Sequence, residues 1–585
     1  MHTAPASPAA LPGSIDVRLG DMAVGLMIFG LMALGIGLRA PWAPDEPRFA
    51  LMAMDMVQNH HWLLPHRGGE IYADKPPLFM WMQALLFLAI GNMKLAFLLP
   101  SLLSSLLTLV LVHDLSRRLF GRDAARFAML LLALTLQFMM QAKAAQIDAT
   151  LCACTTLALY GLIRHHCLGP STRWNAIAWL AMGLGIIVKG VGFLPVLALP
   201  GLAIAGWLAN GVARPTRDFS WPTALAPLLI LLPAAAWLLP VLYRAYGQGD
   251  AATAAYLDEL LFRQTVTRYG EGLGHFRPPW YFITNVIPVF WLPLSLLLPW
   301  VVPDWIRQCR AGSRAHWGLL AYLLLGITFF SLSPGKRGVY MLPLLPAAVV
   351  LVSGSLDRLT GRSGPLRLLR MMTLFVGLVC LAVSLALLLP WERVTLLVAR
   401  QGVPSGVLAA LSAAIGGTFL LAGMTFRDAR SWTVAFLLAW VILSTAAYRA
   451  FDVDKSERGL MQDIAARIGP DRELAIIKFR EQQLLQADRD IVHWGYHDDT
   501  RSQLVDAADW LRSSADRALL VPMDVLEKCG RGEIGEWVGF AHRRDWRLLL
   551  SGDAGDLPGC VSDAPAAKRY LARQVGFPQG DGAKR

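Results

Sequence analysis

The sequence predicts a polytopic membrane protein of the all-α class with an α/β domain at its C-terminal end. Three observations carry that class. Of 585 residues, 55% are hydrophobic, and mean hydropathy is +0.46. Only 16% are charged, against about 25% in a soluble protein. Apolar runs recur from Asp21 to Tyr448, many near the roughly 20 residues that cross a bilayer as helix. Helix is the form to expect, because in lipid a segment must satisfy its own backbone polar groups. From Arg449 the charge rises and the apolar runs shrink to strand length. That shift divides the chain into a membrane domain, 1–448, and a second domain, 449–585. The net charge of +12 calls for no nucleic acid, since arginine gathers in the cytoplasmic loops of such proteins. No RNA- or DNA-binding motif is visible.

In chain order, a polar tail precedes the first apolar run, Asp21–Arg39. No signal-peptide cleavage pattern follows it, so it reads as a retained span. Next comes Pro44-Asp45-Glu46-Pro47-Arg48, with two adjacent carboxylates. Phe49–Val57 reads as an amphipathic helix on the membrane surface. His60, His61 and His66 follow, open to two readings: metal ligands or plain hydrogen-bonding residues. Asp74-Lys75-Pro76-Pro77 leads into Leu78–Ile90, an apolar run of about thirteen residues ended by Gly91. That length suits a re-entrant or interfacial segment better than a span.

Charge decides how the rest is threaded. If Leu78–Ile90 does not cross, the basic loops Arg117–Arg126, Arg164–Arg173, Arg214–Arg217, Arg307–Arg314, Arg358–Arg370 and Arg427–Arg430 all share the N-terminal side. The positive-inside rule makes that side cytoplasmic. About thirteen spans result, with the N-terminus inside and the C-terminus outside. After Asp21–Arg39 they are Leu95–Val112, Phe127–Gln141, Thr150–Ile163, Ala176–Val188, Val191–Leu208, Trp221–Leu242, Tyr281–Val302, Trp317–Phe330, Val339–Val352, Met371–Pro390, Gly406–Met424 and Ser431–Ala447.

Beyond Arg449, Met461–Ile468 and Leu504–Ser513 read as helices. Leu474–Phe479, Ile491–Tyr496 and Ala518–Val525 read as strands. Their alternation predicts an α/β domain, here on the periplasmic side. Its Cys529 and Cys560 either pair there or stay as two thiols. No cysteine falls in a metal-ligand pattern.

With this threading the suspicious charges share the outer face: Asp45, Glu46, Asp74, Lys75, Asp148, Lys189, Arg263, Arg268, Lys336 and Arg337. Cations gathered on that face ask for an anionic ligand, and lysine and arginine both bind phosphate. Carboxylates beside them suit glycosyl chemistry, in which an acid orients or deprotonates the attacking group. The structural alternative is a set of ion pairs tying helix ends together. Lys189 stands out, lying between two apolar runs where an ionisable side chain is costly.

These residues carry a resemblance. The stretches Pro44–Ala50, Asp74–Leu78, Gln146-Ile147-Asp148 and Ser333–Pro346, with Gln264–Tyr269 and His275–Tyr281, resemble the polyprenyl-phosphate-sugar glycosyltransferases of the GT-C fold. Within them the chain is most similar to the bacterial 4-amino-4-deoxy-L-arabinose transferases that modify lipid A. The resemblance covers the membrane region and, less clearly, the C-terminal domain.

It implies inverting transfer at the periplasmic face of the inner membrane. The donor would be undecaprenyl-phosphate-linked aminoarabinose and the acceptor a lipid A phosphate, whose masking lowers cationic-peptide (polymyxin) binding. Asp45 matches the family's essential acid, with Glu46 and Asp148 as further catalytic candidates. Lys75, Arg268, Tyr340 and Lys336 would hold the donor phosphate. Lys189, Asp74, Gln264 and His275 would contact substrate. Gln264 stands where relatives often carry Glu, so an acid role there is in doubt. Arg67 receives no role. No cofactor is required on this reading, and a divalent metal is left open. Two other readings remain: a related transferase moving mannose or another sugar to protein, and a flippase of lipid-linked sugars. The Asp45-Glu46 pair favours an enzyme.

Overall fold

The computed structural model describes residues 19–209, 221–261, 277–360, 362–389, 391, 398, 403–528, 530–557 and 567–575. Arg214–Arg217, Arg263, Gln264, Arg268, His275, Cys529 and Cys560 lie outside the described residues.

Among the described residues, seven helices are long and apolar enough to cross a membrane. They are Met93–Phe120, Ile147–Cys167, Trp221–Gly247, Arg314–Leu332, Ser363–Leu388, Ser405–Thr425 and Arg430–Ile468. Two bent pairs bring the number to nine: Arg122–Ala133 with Leu136–Ala142, at 68°, and Phe282–Phe290 with Leu294–Arg310, at 112°. Pro293 stands at the second bend, where a missing N–H and a rigid ring break the helical ladder. Three expected spans fall on shorter apolar helices, Met22–Ala33, Leu194–Leu208 and Gly338–Ser353, and another on Thr172–Lys189. Leu78–Ile90 is a helix over those thirteen residues, stopped by left-handed Gly91. At 1.5 Å per residue it is about 20 Å long, short of the roughly 30 Å hydrocarbon core. The centre of the bundle is marked by Leu345–Ser353, an apolar helix buried along its whole length.

The C-terminal domain holds one mixed sheet. With β1 as His66–Arg67 and β2 as Glu70–Ile71, the sheet strands are β3 (Glu473–Ile476), β4 (Ile491–His493), β5 (Arg517–Pro522), β6 (Glu536–Ala541), β7 (Arg544–Leu550) and β8 (Tyr570–Ala572). The spatial order is β6-β7-β5-β3-β4-β8. The parallel centre, β5-β3-β4, is the α/β part expected from sequence. The antiparallel additions β6, β7 and β8 were not expected.

A hairpin joins the two domains. β1 and β2 turn at Gly68-Gly69, φ 63° and 90°, the left-handed pair that a two-residue type I′ turn requires. It meets the sheet domain through one backbone and one side-chain acceptor: His493 Nε2 lies 2.7 Å from Gly68 O, and Tyr496 N donates to the Glu70 carboxylate Oε2 at 3.0 Å. Burial pushes the His493 imidazole down to about 4. The neutral ring then donates from Nε2 to Gly68 while Nδ1 accepts from Gly495 N. Because the unfolded chain binds the proton at higher pH, this contact loses stability as pH falls from about 6.5 towards 4. Limited proteolysis of the C-terminal domain is expected to speed up across that window, and less so in His493→Gln.

Arg67 is 2% exposed. Its guanidinium lies 3.7 Å from the centroid of the Tyr496 ring and 5.4 Å from that of Tyr72, with Glu70 and Glu481 at 3.8 and 3.7 Å. The residue to which sequence gave no role is thus the buried rivet of the interface. Removing one partner from a buried charge set costs roughly 3–5 kcal/mol. Arg67→Ala is therefore expected to release the C-terminal domain to protease even where the membrane helices stay folded.

The same docking corrects the reading of Phe49–Val57. A helix does form, Glu46–Gln58, but residues 49–56 are all buried. The helix is enclosed by Leu78–Ile90 and by the C-terminal domain, whose Glu481 accepts from Arg48 Nε at 2.9 Å. Its polar positions face protein instead of lipid headgroups.

Candidate active site

Asp45 stands at the N-cap of helix Glu46–Gln58, with Pro47 in the first turn, where proline's missing N–H costs nothing. The Asp45 carboxylate makes no capping bond. Its Oδ2 instead accepts from Gln146 Nε2 at 3.1 Å and from the Arg337 guanidinium at 3.3 Å. Gln146 and Asp148 flank the start of helix Ile147–Cys167, where the helix dipole favours a negative charge. Asp148 is buried and meets Lys189 Nζ at 2.5 Å.

Lys189 ends helix Thr172–Lys189. The chain turns at Gly190, φ 55°, and a Cβ on Gly192 would overlap the Gly185 backbone. That tight reversal leaves the lysine at its tip. Its Nζ lies 4.7 Å from the centroid of the Tyr340 ring. Tyr340 and Arg337 bracket the start of the 3₁₀ helix Gly338–Leu344, and Arg337 leads back to Asp45. Asp45, Gln146, Asp148, Lys189, Tyr340 and Arg337 thus close a ring drawn from four distant parts of the chain. Asp148 is buried, Arg337 is exposed, and the other four are half-buried.

Other predicted residues sit differently. The Glu46 carboxylate turns away from the ring. It receives both arms of Arg39, the Trp42 N–H at 2.8 Å and the Ala145 N–H at 2.9 Å. Arg39 also donates to Lys143 O at 3.0 Å and packs against Trp42 and Tyr448. With its acceptor capacity taken up, the Glu46 carboxylate ties the start of helix Glu46–Gln58 to Arg39 and to the 143–148 segment. Lys336 is buried, and its ammonium donates to Ser333 O at 2.5 Å and Arg277 O at 2.9 Å. Burial pulls its pKa down. The neighbouring Arg337, not Lys336, supplies the cation beside Asp45. Lys75 Nζ donates to Asp74 O at 2.8 Å, and both side chains are half-buried. Gln146 and Arg39 were missed as site residues. Gln146 stood inside the Gln146-Ile147-Asp148 stretch of the resemblance without a role of its own, and Arg39 ended the first apolar run with no further signal.

The arrangement offers an acid held between an amide and a guanidinium, with a lysine and a phenol alongside. That set orients a polar substrate and stabilises anionic charge.

Comparison with known proteins gives the class and then the family. Residues 74–243 match the family model described as dolichyl-phosphate-mannose-protein mannosyltransferase. The whole fold aligns with a crystal structure of ArnT from Cupriavidus metallidurans bound to undecaprenyl phosphate. The TM-score is 0.70 at 21% identity, covering 91% of this chain and 98% of that one. These matches give the class by fold alone: a polytopic helical membrane protein that carries a mixed-sheet domain.

An undecaprenyl phosphate-alpha-4-amino-4-deoxy-L-arabinose arabinosyl transferase of Pseudomonas aeruginosa is 30% identical over 433 residues, 72% of this chain and 74% of its own length. One from Pseudomonas fluorescens is 32% identical over 59% of this chain and 61% of its own length, and one from Edwardsiella ictaluri is matched over 62% of its length. The chain belongs to this family of arabinosyl transferases.

Proposed function

We propose that the protein transfers 4-amino-4-deoxy-L-arabinose from undecaprenyl phosphate to a phosphate of lipid A at the periplasmic face of the inner membrane. The observation that carries this reading is the closed ring around Asp45, in a chain of this family. In the reaction a lipid A phosphate oxygen attacks the anomeric carbon from the face opposite the leaving group. The bond from that carbon to the carrier phosphate breaks, undecaprenyl phosphate leaves, and configuration inverts.

The acceptor phosphate is already anionic, so Asp45 need not act as a strong base. It orients the acceptor or meets the sugar's amino group, held in place by Gln146 and Arg337. Lys75, Arg268 and Tyr340 bind the donor phosphate and stabilise the charge that develops as it departs. Asp148 fixes Lys189 beside Tyr340.

A charge-assisted contact to phosphate contributes roughly 1.5–3 kcal/mol. Lys75→Ala and Arg268→Ala are therefore each expected to slow turnover at least about tenfold. Exposed Arg427, in a loop between two spans, serves as the reference, and Arg427→Ala is expected to leave turnover unchanged. Equal, mild effects at all three positions would make the cations structural.

Mass spectrometry of lipid A from cells with and without the protein tests the whole reading. One added aminopentose is the expected result. Unchanged lipid A with altered glycoproteins would point to the protein-mannosyl alternative that the matched family model also describes.

A further inference from the structure

We propose that Asp55, His61 and His66 form a binding site for a divalent metal ion of borderline softness, of which zinc is the probe. One ligand atom from each residue lies within 4.8 Å of the other two. The site is separate from the Asp45 ring, since ten residues of helix, about 15 Å, divide Asp55 from Asp45. His60, adjacent in sequence, is exposed and turned aside by a left-handed backbone, φ 59°.

Three features go beyond proximity. The first is chemistry: two imidazoles and a carboxylate make the three-ligand set with an open position that zinc accepts. The second is the outer shell. Ligating groups in metal sites are held by partners of their own, and two of these three are. Asn59 Nδ2 donates to Asp55 Oδ1 at 2.7 Å, leaving Oδ2 for the site. Leu64 O lies 2.8 Å from His66 Nδ1, which fixes the proton there and leaves the Nε2 lone pair to ligate.

The third is pre-organisation. His61 Nδ1 sits 2.8 Å from Asp55 Oδ2, and the His61 and His66 rings stack at 3.8 Å. Two ligands about 2.05 Å from a tetrahedral ion stand about 3.3 Å apart, so an ion enters by widening the His61–Asp55 contact by about half an ångström and by turning one imidazole out of the stack, which brings both in-plane lone pairs onto the ion. The Asp55 side chain is 8% exposed and that of His61 is 39% exposed, which gives a buried anchor and an open entry side. A bound ion would clip the 59–66 loop to the end of helix Glu46–Gln58, immediately before the hairpin that docks the C-terminal domain.

The test uses the full-length protein in nanodiscs, stripped with a chelator and titrated with zinc by calorimetry against a competing chromophoric chelator. One equivalent is expected to bind. Asp55→Asn and His66→Ala are each expected to weaken it at least about tenfold, and His60→Asn, which suits the left-handed backbone, to leave it unchanged. X-ray absorption on the zinc-loaded wild type guards against variants that fail to fold: it is expected to show two imidazoles and an oxygen ligand. No stoichiometric zinc in the wild type, a shell without imidazole, or undiminished binding by folded His66→Ala would overturn the assignment.

Discussion

Asp45→Asn is expected to abolish sugar transfer while the protein still inserts, folds and binds its donor. Asparagine keeps the size of the side chain and one acceptor oxygen, so Gln146 retains its partner. The charge is what disappears. As helix caps, Asp and Asn are close to equivalent, and in this helix the Asp45 side chain does not cap at all. Stability should therefore hardly change. Loss of a positioned charge that acts on the transition state costs about 10²–10³ in rate, and a hundredfold loss corresponds to about 2.7 kcal/mol. The measurement is turnover at saturating donor, beside donor affinity and thermal stability of the same preparation. Wild-type turnover in Asp45→Asn would remove the chemistry proposed here and leave family membership alone to support an enzyme.

The adjacent residue should behave in the opposite way. Glu46→Ala is expected to destabilise the fold by about 3–5 kcal/mol, because it strands the Arg39 charge in the interior. Against the 5–15 kcal/mol by which folded proteins are usually stable, that is a large share. Arg39 is 3% exposed and Glu46 6%, so little water reaches either side chain. The readout is the fraction of protein that stays monodisperse after graded heating in detergent. Arg39→Ala with Glu46→Ala together should cost less than the two single losses summed, since neither charge is then left alone. Equal stability of Glu46→Ala and wild type would show that the pair does not hold the 143–148 segment in place.

These two neighbours mark how far the sequence could be read. Both are acids in one short polar stretch, and composition cannot say which faces the site. Successive residues at a helix start point in different directions. Only the fold shows that Arg39 and the Ala145 N–H claim Glu46 while Asp45 stays available. Lys189 was legible because an ionisable group between apolar runs is costly to keep; Asp148 was named among the outer-face charges, and Tyr340 only through the family resemblance. Gln146 lay in a stretch of the resemblance, but a neutral side chain carries no charge signal that would give it a role.

The short helix Leu78–Ile90 was legible from its flanking Pro77 and Gly91. The burial of Arg67 and of helix Glu46–Gln58 was not, because the groups that cover them come from the C-terminal domain. Glu70 and Tyr496 are 426 positions apart, beyond the reach of local pattern. The parallel strands β3, β4 and β5 announced themselves by apolar runs, whereas β6, with Glu536 and Trp537 exposed, carries the mixed pattern of an edge.

The most direct test of the central claim is transfer in proteoliposomes that hold only the purified protein, undecaprenyl-phosphate aminoarabinose and lipid A. Wild-type protein is expected to give lipid A heavier by one aminopentose and free undecaprenyl phosphate in equal amount, and Asp45→Asn to give neither. Lipid A left unmodified by folded wild-type protein in that mixture would contradict the account.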